Sequence, residues 1–542
     1  MKKQFVQKDY SKLKGEYQLI LPMSTEILIP IDEPARLLSA IAEEMDYSEL
    51  EAAYSRRGRI GYSPKNLFKI IIYANMRNIR STRKIEQACR ENINFMYLLE
   101  GGKAPDHNTI SRFRRYCMGD AAEGLMHQLT KLLLDLGEIS LAEGAVFIDG
   151  TKIEANANRY SFVWKKSVIK YRERLHEKIR KELPVLLSRL GMEYHIPEKI
   201  KAPWLKKLRK RLCKQKKEGD VEFVSGKGRH KPPLQKALEK TEEWLKKEKE
   251  CNQKLHICGD RNSYSKIDHD ATFMRMKEDH MRNGQLKPGY NVNVATSSEY
   301  ILDCYVSQDR TDTAAFIPFM DRLLQKYNLH RIVVDSGYES EENYKYCEEH
   351  PQLLLFVKPS NHEQRKTRKY KADIGRRENM EYDSQEDTYT CAQGRKLRVT
   401  EVKQRKSSRN FPIEKTIYQC DDCKDCPCKE KCIRQSKSCK TPLENRVKRL
   451  EVSKYFAKQR EEMEKKISTE EGILLRVNRS IQAEGVFAYT KEDLDFRRFL
   501  LRGIGNVSTE CFLIAIAHNV LKLHHKIQKD RLGSHLIVPK VS

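Results

Sequence analysis

The chain has 542 residues, too many for a single hydrophobic core, so we expect several domains. Lys and Arg total 103 against 76 Asp and Glu, a net charge of +27, and the hydrophobic fraction of 39% is that of a folded protein. The longest apolar runs, such as 511–517, exclude a membrane-spanning segment, and 15 Cys in so large a chain indicate thiols and metal sites rather than a disulfide scaffold. We therefore expect a soluble intracellular protein whose positive charge favours nucleic acid as its partner.

The N-terminal part has a helical pattern. Apolar residues recur at helical spacing over residues 34–136, with breaks at Gly and Pro, which predicts an all-α domain over 1–140. In the segment PDHNTISRFRRYC, Asp106 is the predicted N-cap of a helix that resembles the second helix of a helix-turn-helix. A surface helix with solvated arginines is an equal alternative. The arginines of this helix that we predict to contact DNA are Arg112, Arg114 and Arg115.

Two apolar, β-branched runs further along the chain each lead into an aspartate. GAVFIDG contains Asp149 and HRIVVDSG contains Asp335, and both runs are predicted to be buried strands with the acid at the carboxyl end. Ligands bind at the carboxyl ends of strands in open α/β sheets, so the two acids are expected to share a cleft. Between them, GYNVNVATSSEYILDCYVS predicts a β-hairpin that turns near 297–299, and an amphipathic helix follows over 313–327. This alternation predicts an α/β fold.

A third acid, Glu484, lies in a helix-like segment, and Lys491 follows seven residues later on the same helical face, where it could hold a phosphate. Carboxylates are the ligands that Mg²⁺ prefers, and a few acids suffice for a phosphoryl-transfer site. Each acid alone has an ordinary explanation as a turn former or a solvated charge. The combination of Asp149, Asp335 and Glu484 is what predicts a catalytic site.

A strongly basic window interrupts the α/β pattern. Residues 165–256 hold 28 Lys and Arg against 13 Asp and Glu, an excess of 15 positive charges, which predicts a basic helical insertion over 164–258. The three Trp, at positions 164, 204 and 244, lie in or beside this window. Aromatic faces among cations suit unstacked bases, but for at least two of them we favour a role in the core of a helical hairpin.

Cysteines cluster in a second interruption, over residues 361–450. YQCDDCKDCPCKEKC has two-residue gaps between thiols, as zinc knuckles do, and Cys391 and Cys439 lie on either side of it. Zinc is the interpretation that we favour. An iron–sulfur cluster and redox-active thiols are the alternatives.

The order strand Asp, strand Asp, helix Glu and then Lys resembles the Asp, Asp, Glu (DDE) transposases of bacterial insertion sequences, which have a ribonuclease-H-like core. FIDGTKIEANANRY resembles the first-aspartate block of that family, VVDSGYES the second and AEGVFAYTKEDLDFRRFLLRG the glutamate block. PDHNTISRFRR resembles the helical N-terminal domain of one branch. The family signature places an Arg four residues before the Glu, whereas here Ser480 has that position and Arg479 lies one residue further away.

The resemblance implies roles for individual residues. Two Mg²⁺ or Mn²⁺ ions would be bound by Asp149, Asp335 and Glu484. The backbone of DNA would be contacted by Lys491 and Arg479. A structural Zn²⁺ would be bound by Cys420, Cys423, Cys426 and Cys432. Auxiliary acids could be Asp268, Asp270 and Asp312.

The resemblance also implies a ribonuclease-H-like mixed sheet with flanking helices, split over residues 141–163, 259–360 and 470–530. The expected reaction is metal-dependent hydrolysis at the transposon end, followed by attack of the freed 3′-hydroxyl on target DNA. The expected partners are terminal inverted repeats and target DNA, bound by a homodimer in the bacterial cytoplasm and nucleoid, without a membrane. One rival is a basic, zinc-containing DNA-binding or architectural protein without catalysis. Another is a repair or restriction nuclease on the same core.

Overall fold

The N-terminal region, where the structure describes it, is helical, as predicted. The computed structural model describes residues 24–54, 61–119, 121–141, 144–225, 229–276, 285–407, 409–434, 441–494 and 496–534. The helices that precede the first strand are α1 Thr25–Leu28, α2 Pro34–Glu43, α3 Ser48–Ala52, α4 Pro64–Met76, α5 Thr82–Glu91, α6 Ile93–Leu98, α7 His107–Arg112 and α8 Ala121–Asp135. Helix α4 is buried on all sides from Leu67 to Met76, so it forms the centre of this bundle.

Local signals explain where these helices begin. Ser63 caps α4 by accepting a hydrogen bond from the Asn66 backbone N–H, and Pro64 occupies the first helical position. The predicted N-cap of α7 is confirmed, because the carboxylate of Asp106 accepts from the Thr109 backbone N–H at 2.6 Å. A π-helical turn, Phe113–Cys117, continues α7.

A mixed sheet forms the centre of the protein. The strands before residue 360 are β1 Ala145–Glu154, β2 Phe162–Trp164, β3 Ser263–Ser265, β4 Thr272–Arg275, β5 Leu286–Ser297, β6 Tyr300–Ser307, β7 Arg331–Val334 and β8 Leu354–Val357. The sheet has the order β4-β5-β1-β7-β8, and β6 also pairs with β5. Strand β1 is antiparallel to β5 and parallel to β7, which in turn is parallel to β8. The predicted α/β class is therefore confirmed, and the predicted hairpin is the antiparallel pair of β5 and β6.

The basic insertion is helical and has a core of its own. It begins and ends at the small ribbon of β2 and β3, where Trp164 pairs with Ser263. Its helices are α9 Lys165–Ser188, α10 Ala202–Glu218 and α11 Pro233–Cys258. Trp244 is fully buried in this core, and Trp204 packs against its edge beside Tyr194. The interpretation of these two Trp as core residues is confirmed.

Replacing Trp244 with Ala is therefore expected to destabilise the insertion by about 3–5 kcal/mol, because it deletes a large buried side chain. Limited proteolysis and mass spectrometry would detect this as cleavage within residues 165–258. Tyr171, an exposed aromatic residue on α9, provides the control Tyr171→Ala, which should leave proteolysis unchanged. Resistance to proteolysis in Trp244→Ala, combined with weaker binding of single-stranded DNA, would contradict this expectation.

A second, antiparallel sheet carries the cysteines. The elements between the two sheets are α12 Phe316–Lys326, α13 Glu341–Glu349, α14 His362–Arg365 and α15 Arg368–Lys371. The second sheet has the order β13-β12-β11-β10-β9, and its strands are β9 Glu381–Asp383, β10 Thr388–Thr390, β11 Lys396–Lys406, β12 Pro412–Cys420 and β13 Arg449–Val452. Helix α16, Lys429–Cys432, lies in the cysteine-rich loop between β12 and β13.

Among the C-terminal helices, the last one packs against both the N-terminal helices and the central sheet. The C-terminal helices are α17 Lys454–Ile467, α18 Glu470–Arg479, α19 Gly485–Ala488 and α20 Ile504–Gln528. Helix α20 is long and apolar enough to cross a membrane by length and composition, but 72% of its most apolar part is buried, so it packs as a core helix. One hydrophobic core runs from Leu38 in α2 through Val146 in β1 to Leu513 in α20. The N-terminal helices therefore pack directly onto the unit that contains the central sheet.

Candidate active site

The central sheet brings the two predicted aspartates side by side. Strands β1 and β7 run parallel, with Ile148 opposite Val334, and the next residues are Asp149 and Asp335. The prediction that both acids end their strands is correct for Asp335 alone. Strand β1 continues to Glu154, because antiparallel β5 pairs with it beyond the last residue of β7. Asp149 is thus held from one side by β5, while Asp335 follows a strand end.

Arg479 connects these two acids. Its Nη1 atom lies 3.6 Å from Asp149 Oδ2, and its Nη2 atom lies 4.0 Å from Asp335 Oδ1. The Asp149 side chain is 9% exposed and that of Asp335 41% exposed. The guanidinium therefore offsets the repulsion between two neighbouring carboxylates, of which one is buried.

The helical segment that begins with α18 explains how Arg479 reaches this place. Arg479 ends α18, and a π-helical turn, Ser480–Glu484, follows it. A π turn takes up one more residue than an α turn, because its hydrogen bonds span five residues. Arg479 and Glu484, whose spacing is one residue longer than in the family signature, thus lie at the two ends of this π turn. The side chain of Glu484 lies outside the described part of the structure, so its role stays a prediction.

The hairpin turn between β5 and β6 holds this helical segment. Ser298 and Glu299 have φ angles of 52° and 69°, which residues other than Gly rarely adopt. The Glu299 backbone N–H donates to Gln482 Oε1 at 3.1 Å, and the Glu299 carbonyl accepts from His518 Nε2 at 3.2 Å. Burial lowers the pKa of His518 to about 4, so the ring is neutral at pH 7. The strained turn thus links the π turn that contains Glu484 to α20.

The predicted DNA-contacting residues lie in different environments. Lys491, in a second π turn, Tyr489–Asp493, is 9% exposed and borders a small apolar cavity together with Thr151 and Phe487. This position is close beneath the sheet rather than on an open surface. Contact of Lys491 with DNA stays a prediction.

The arginines of α7 and its π turn also differ from one another. Arg112 and Arg115 are exposed, whereas Arg114 is buried and its Nη1 donates to the Arg80 carbonyl at 3.2 Å. Burial lowers the pKa of Arg114, and the charge of Glu510 opposes that effect. The exposed pair is available to DNA in this structure, and the DNA contacts of all three stay predictions.

Two family models match the chain. Residues 390–524 match the model of a transposase DDE domain, and residues 23–116 match that of a transposase domain (DUF772). Together the two matches support a DDE transposase of the insertion-sequence type. The first match includes Glu484 and Lys491, and the second includes α1 to α7 with Arg112. Comparison of the transposase with the curated proteins and with the solved structures gives no match.

The three acids predicted as possible auxiliary residues, Asp268, Asp270 and Asp312, lie in two separate places. Asp268 Oδ1 accepts from the Gly503 backbone N–H at 3.2 Å, and Asp270 Oδ2 accepts from that of Ile504 at 2.9 Å. Both acids therefore stabilise the positive start of α20. Asp312 instead lies next to Gly150, the residue that follows Asp149: its Oδ1 atom is 2.6 Å from the position that a Cβ atom on Gly150 would occupy.

The sequence analysis missed two polar residues of the same region. Asn291 and Asn293 lie in β5, and both are fully buried. Asn293 Oδ1 accepts from the Tyr338 hydroxyl at 2.6 Å. The signal that could have revealed them is the alternation in GYNVNVA, which places polar side chains on one face of an otherwise apolar strand.

The chemistry of the acidic pair fits a divalent cation. The carboxylate oxygens of Asp149 and Asp335 are hard ligands, as Mg²⁺ and Mn²⁺ require, and they lie at neighbouring positions of the sheet. Within the described ranges, no group of three or more His, Cys, Asp or Glu is arranged to hold a metal ion. The site of the transposase therefore has suitable donors but not a complete set among the described side chains.

The cysteines share one small core in the second sheet. Cys420 and Cys423 are buried there, and Cys391 and Cys432 pack against them. The Lys448 backbone N–H donates to Cys423 Sγ at 3.3 Å. Burial and a hydrogen bond with Cys423 raise the pKa of Cys420 to about 12. The donors are suitable for zinc in kind, although they form no closed set of metal ligands among the described residues.

The other predicted zinc ligand, Cys426, is half-buried, and Cys428 Sγ accepts from Gln393 Nε2 at 3.4 Å. Cys439 lies outside the described residues. The choice of ligands among the clustered cysteines thus stays a prediction.

Proposed function

We propose that this transposase binds the ends of its own element and cuts and joins DNA strands at a metal-dependent site formed by Asp149, Asp335 and Glu484. The observation that carries the proposal is the pairing of β1 with β7, which places Asp149 beside Asp335 with Arg479 across both. The mixed sheet, with β1 antiparallel to β5 and parallel to β7, supports a ribonuclease-H-like core.

Two bound Mg²⁺ or Mn²⁺ ions would activate the attacking oxygen and stabilise the leaving oxygen. Asp149 and Asp335 would hold them, and Arg479, whose ion pairs with both acids a cation would replace, would bind a backbone phosphate. In the first step water attacks the phosphorus at the element's end, and the P–O3′ bond breaks to leave a 3′-hydroxyl. In the second step this hydroxyl attacks a phosphodiester of the target, whose own 3′-oxygen leaves. The protein forms no covalent intermediate.

The distribution of charge supports DNA as the substrate. The helical insertion has an excess of 15 positive charges over residues 165–256, and its apolar side chains form its own core, so its cations face outwards. Contacts between such cations and phosphates release counterions and weaken with salt. We propose that two copies of the chain act together on a pair of ends, as the family resemblance implies.

The test is a reaction of the purified chain with a labelled DNA end of its element and a target plasmid, with Mg²⁺ or with EDTA. We expect nicking and joined products with Mg²⁺ alone. Nicking without joined products would favour the rival nuclease. Binding without cleavage in Mg²⁺ or Mn²⁺ would favour the rival architectural protein.

We also propose that Cys420, Cys423, Cys426 and Cys432 bind one structural Zn²⁺. Elemental analysis of the purified chain is then expected to give about one zinc per chain, and Cys423→Ser is expected to lose it and to destabilise the second sheet, because metal binding is coupled to folding. Cys213→Ser, at a half-buried thiol of α10, is the matched control. Full zinc content in Cys423→Ser would contradict this ligand set, and iron in its place would favour the iron–sulfur alternative.

A further inference from the structure

Asp312 lies against two glycines that follow the acids Asp149 and Asp335 in the sequence. Consecutive residues of a strand point to opposite faces, so Asp312, next to Gly150, lies on the face of β1 opposite to the Asp149 side chain. Asp312 begins a short 3₁₀ helix, Asp312–Ala314. Its Oδ1 atom lies 2.6 Å from the position that a Cβ atom on Gly150 would occupy, and its Oδ2 atom lies 2.9 Å from the corresponding position on Gly337. Gly150 directly follows Asp149, and Gly337 comes two residues after Asp335. Any side chain at either glycine would collide with the Asp312 carboxylate.

A buried amide holds this carboxylate in place. Asn291 Nδ2 donates to Asp312 Oδ1 at 2.7 Å. Asn291 is fully buried, and its Oδ1 atom has no hydrogen-bond partner among the described residues. A buried carbonyl oxygen without a donor is costly, and bound water or a cation commonly satisfies it. The buried amide of Asn291 thus has an unused oxygen close to the Asp312 carboxylate.

The pKa of the Tyr338 hydroxyl is shifted by the charges of the three carboxylates and of Arg479. Tyr338 is buried, and it follows the strand end at Asp335 in a 3₁₀ helix, Ser336–Tyr338. Burial raises its pKa well above the usual value, and the charges of Asp312, Asp149 and Asp335 raise it further, while Arg479 lowers it. The charges of all three carboxylates thus act on this hydroxyl, and Arg479 forms ion pairs with Asp149 and Asp335.

We propose that Asp312, held by Asn291, is a positioning residue of the cation site at Asp149 and Asp335, and that it increases the affinity of this site for divalent cations. The inference rests on the proposed function. With all groups ionised, three carboxylates and Arg479 carry a net charge of −2, which matches a divalent cation. Asp312 acts from behind Gly150 through its charge and through water bound at the Asn291 oxygen. Outer-shell groups that hydrogen-bond a metal ligand change metal affinity by about 10- to 100-fold, and for a carboxylate that acts through its charge we expect the lower end of this range.

The experiment is a titration of the full chain with Mn²⁺, in which electron paramagnetic resonance measures unbound Mn²⁺. Asp312→Asn keeps the shape of the side chain and an acceptor for Asn291, so the fold should be preserved. We expect its Mn²⁺ affinity to fall by about tenfold or more. Asp309→Asn, an exposed acid three residues earlier in the same loop, is the matched control and should bind as the wild type does. Gly150→Ala, which displaces the Asp312 carboxylate without removing its charge, should also weaken binding.

The outcomes separate this inference from the proposed function. Asp149→Asn tests the cation site itself and should abolish specific Mn²⁺ binding. If Asp149→Asn abolishes binding while Asp312→Asn and Gly150→Ala stay within twofold of the wild type, the role of Asp312 is disproved and the proposed site stands. If Asp149→Asn binds Mn²⁺ as the wild type does, the proposed cation site is itself wrong, and the inference falls with it. Because the readout is affinity, it does not depend on DNA cleavage.

Discussion

Replacing Asp149 or Asp335 with Asn will lower the rate of Mg²⁺-dependent cleavage at the element's end by at least roughly a thousandfold. Each carboxylate would hold a cation that stabilises charge in the transition state, a contribution of several kcal/mol, and each 1.4 kcal/mol corresponds to a factor of ten in rate. Single-turnover cleavage of a labelled end measures the effect. Binding of the same DNA, followed by gel shift, should persist, because affinity for phosphate comes from the cationic surface.

The two substitutions should leave the fold intact. Each removes an ion pair with Arg479 but also relieves repulsion between neighbouring carboxylates, so the two effects on stability oppose each other. Asp309→Asn, in an exposed loop, is the control for the loss of one negative charge. Cleavage by Asp149→Asn within tenfold of the wild-type rate would rule out this acid as a metal ligand.

The sequence predicted those parts of the site that depend on local patterns. β-Branched apolar runs specify buried strands, so the strands that contain Asp149 and Asp335 could be found without a structure. The helical segment that contains Glu484 could likewise be predicted from the local sequence, without a structure. The N-cap at Asp106 was visible because its side chain acts on its own neighbours in the chain.

The rest of the site depends on contacts between distant segments. Asp312 reaches Gly150 across more than 150 residues of sequence, and only the packing of the 3₁₀ helix against β1 brings them together. The π turn after Arg479 leaves no clear pattern, because it changes the helical register by one residue. The burial of Arg114 likewise depends on contact with Arg80. Single-sequence patterns contain no information on such pairs.

The packing of α20 near the end of the N-terminal helices depends on the buried acid Glu138. Glu138→Ala will therefore lower the free energy of unfolding by about 3–5 kcal/mol. Its Oε2 atom accepts hydrogen bonds from Lys526 Nζ and from the Tyr300 hydroxyl, both at 2.8 Å, and its Oε1 accepts from the Gly533 N–H. The side chains of Glu138 and Lys526 are 1% and 4% exposed. Removal of the acid leaves the ammonium group of Lys526 buried without its counter-charge, and thermal and urea unfolding would measure the loss.

The pH dependence of this loss has a defined sign. Burial raises the pKa of Glu138, but the hydrogen bonds from Lys526, Gly533 and Tyr300 outweigh burial and leave the pKa below its usual value. The stabilisation is therefore fully present above the pKa of the unfolded chain, about 4.3, and is lost as the pH falls through the lowered pKa of the folded protein. The difference in stability between the wild type and Glu138→Ala should shrink in acid.

Two further variants distinguish a missing counter-charge from a simple cavity. In Glu138→Ala combined with Lys526→Met, no charge remains buried, so the double variant should be more stable than Glu138→Ala alone. Glu182→Ala, which breaks exposed pairs with Lys178 and Lys240, should change stability little. If the double variant were less stable than Glu138→Ala, the cost would come from lost packing between Glu138 and its neighbours rather than from the charge of Lys526.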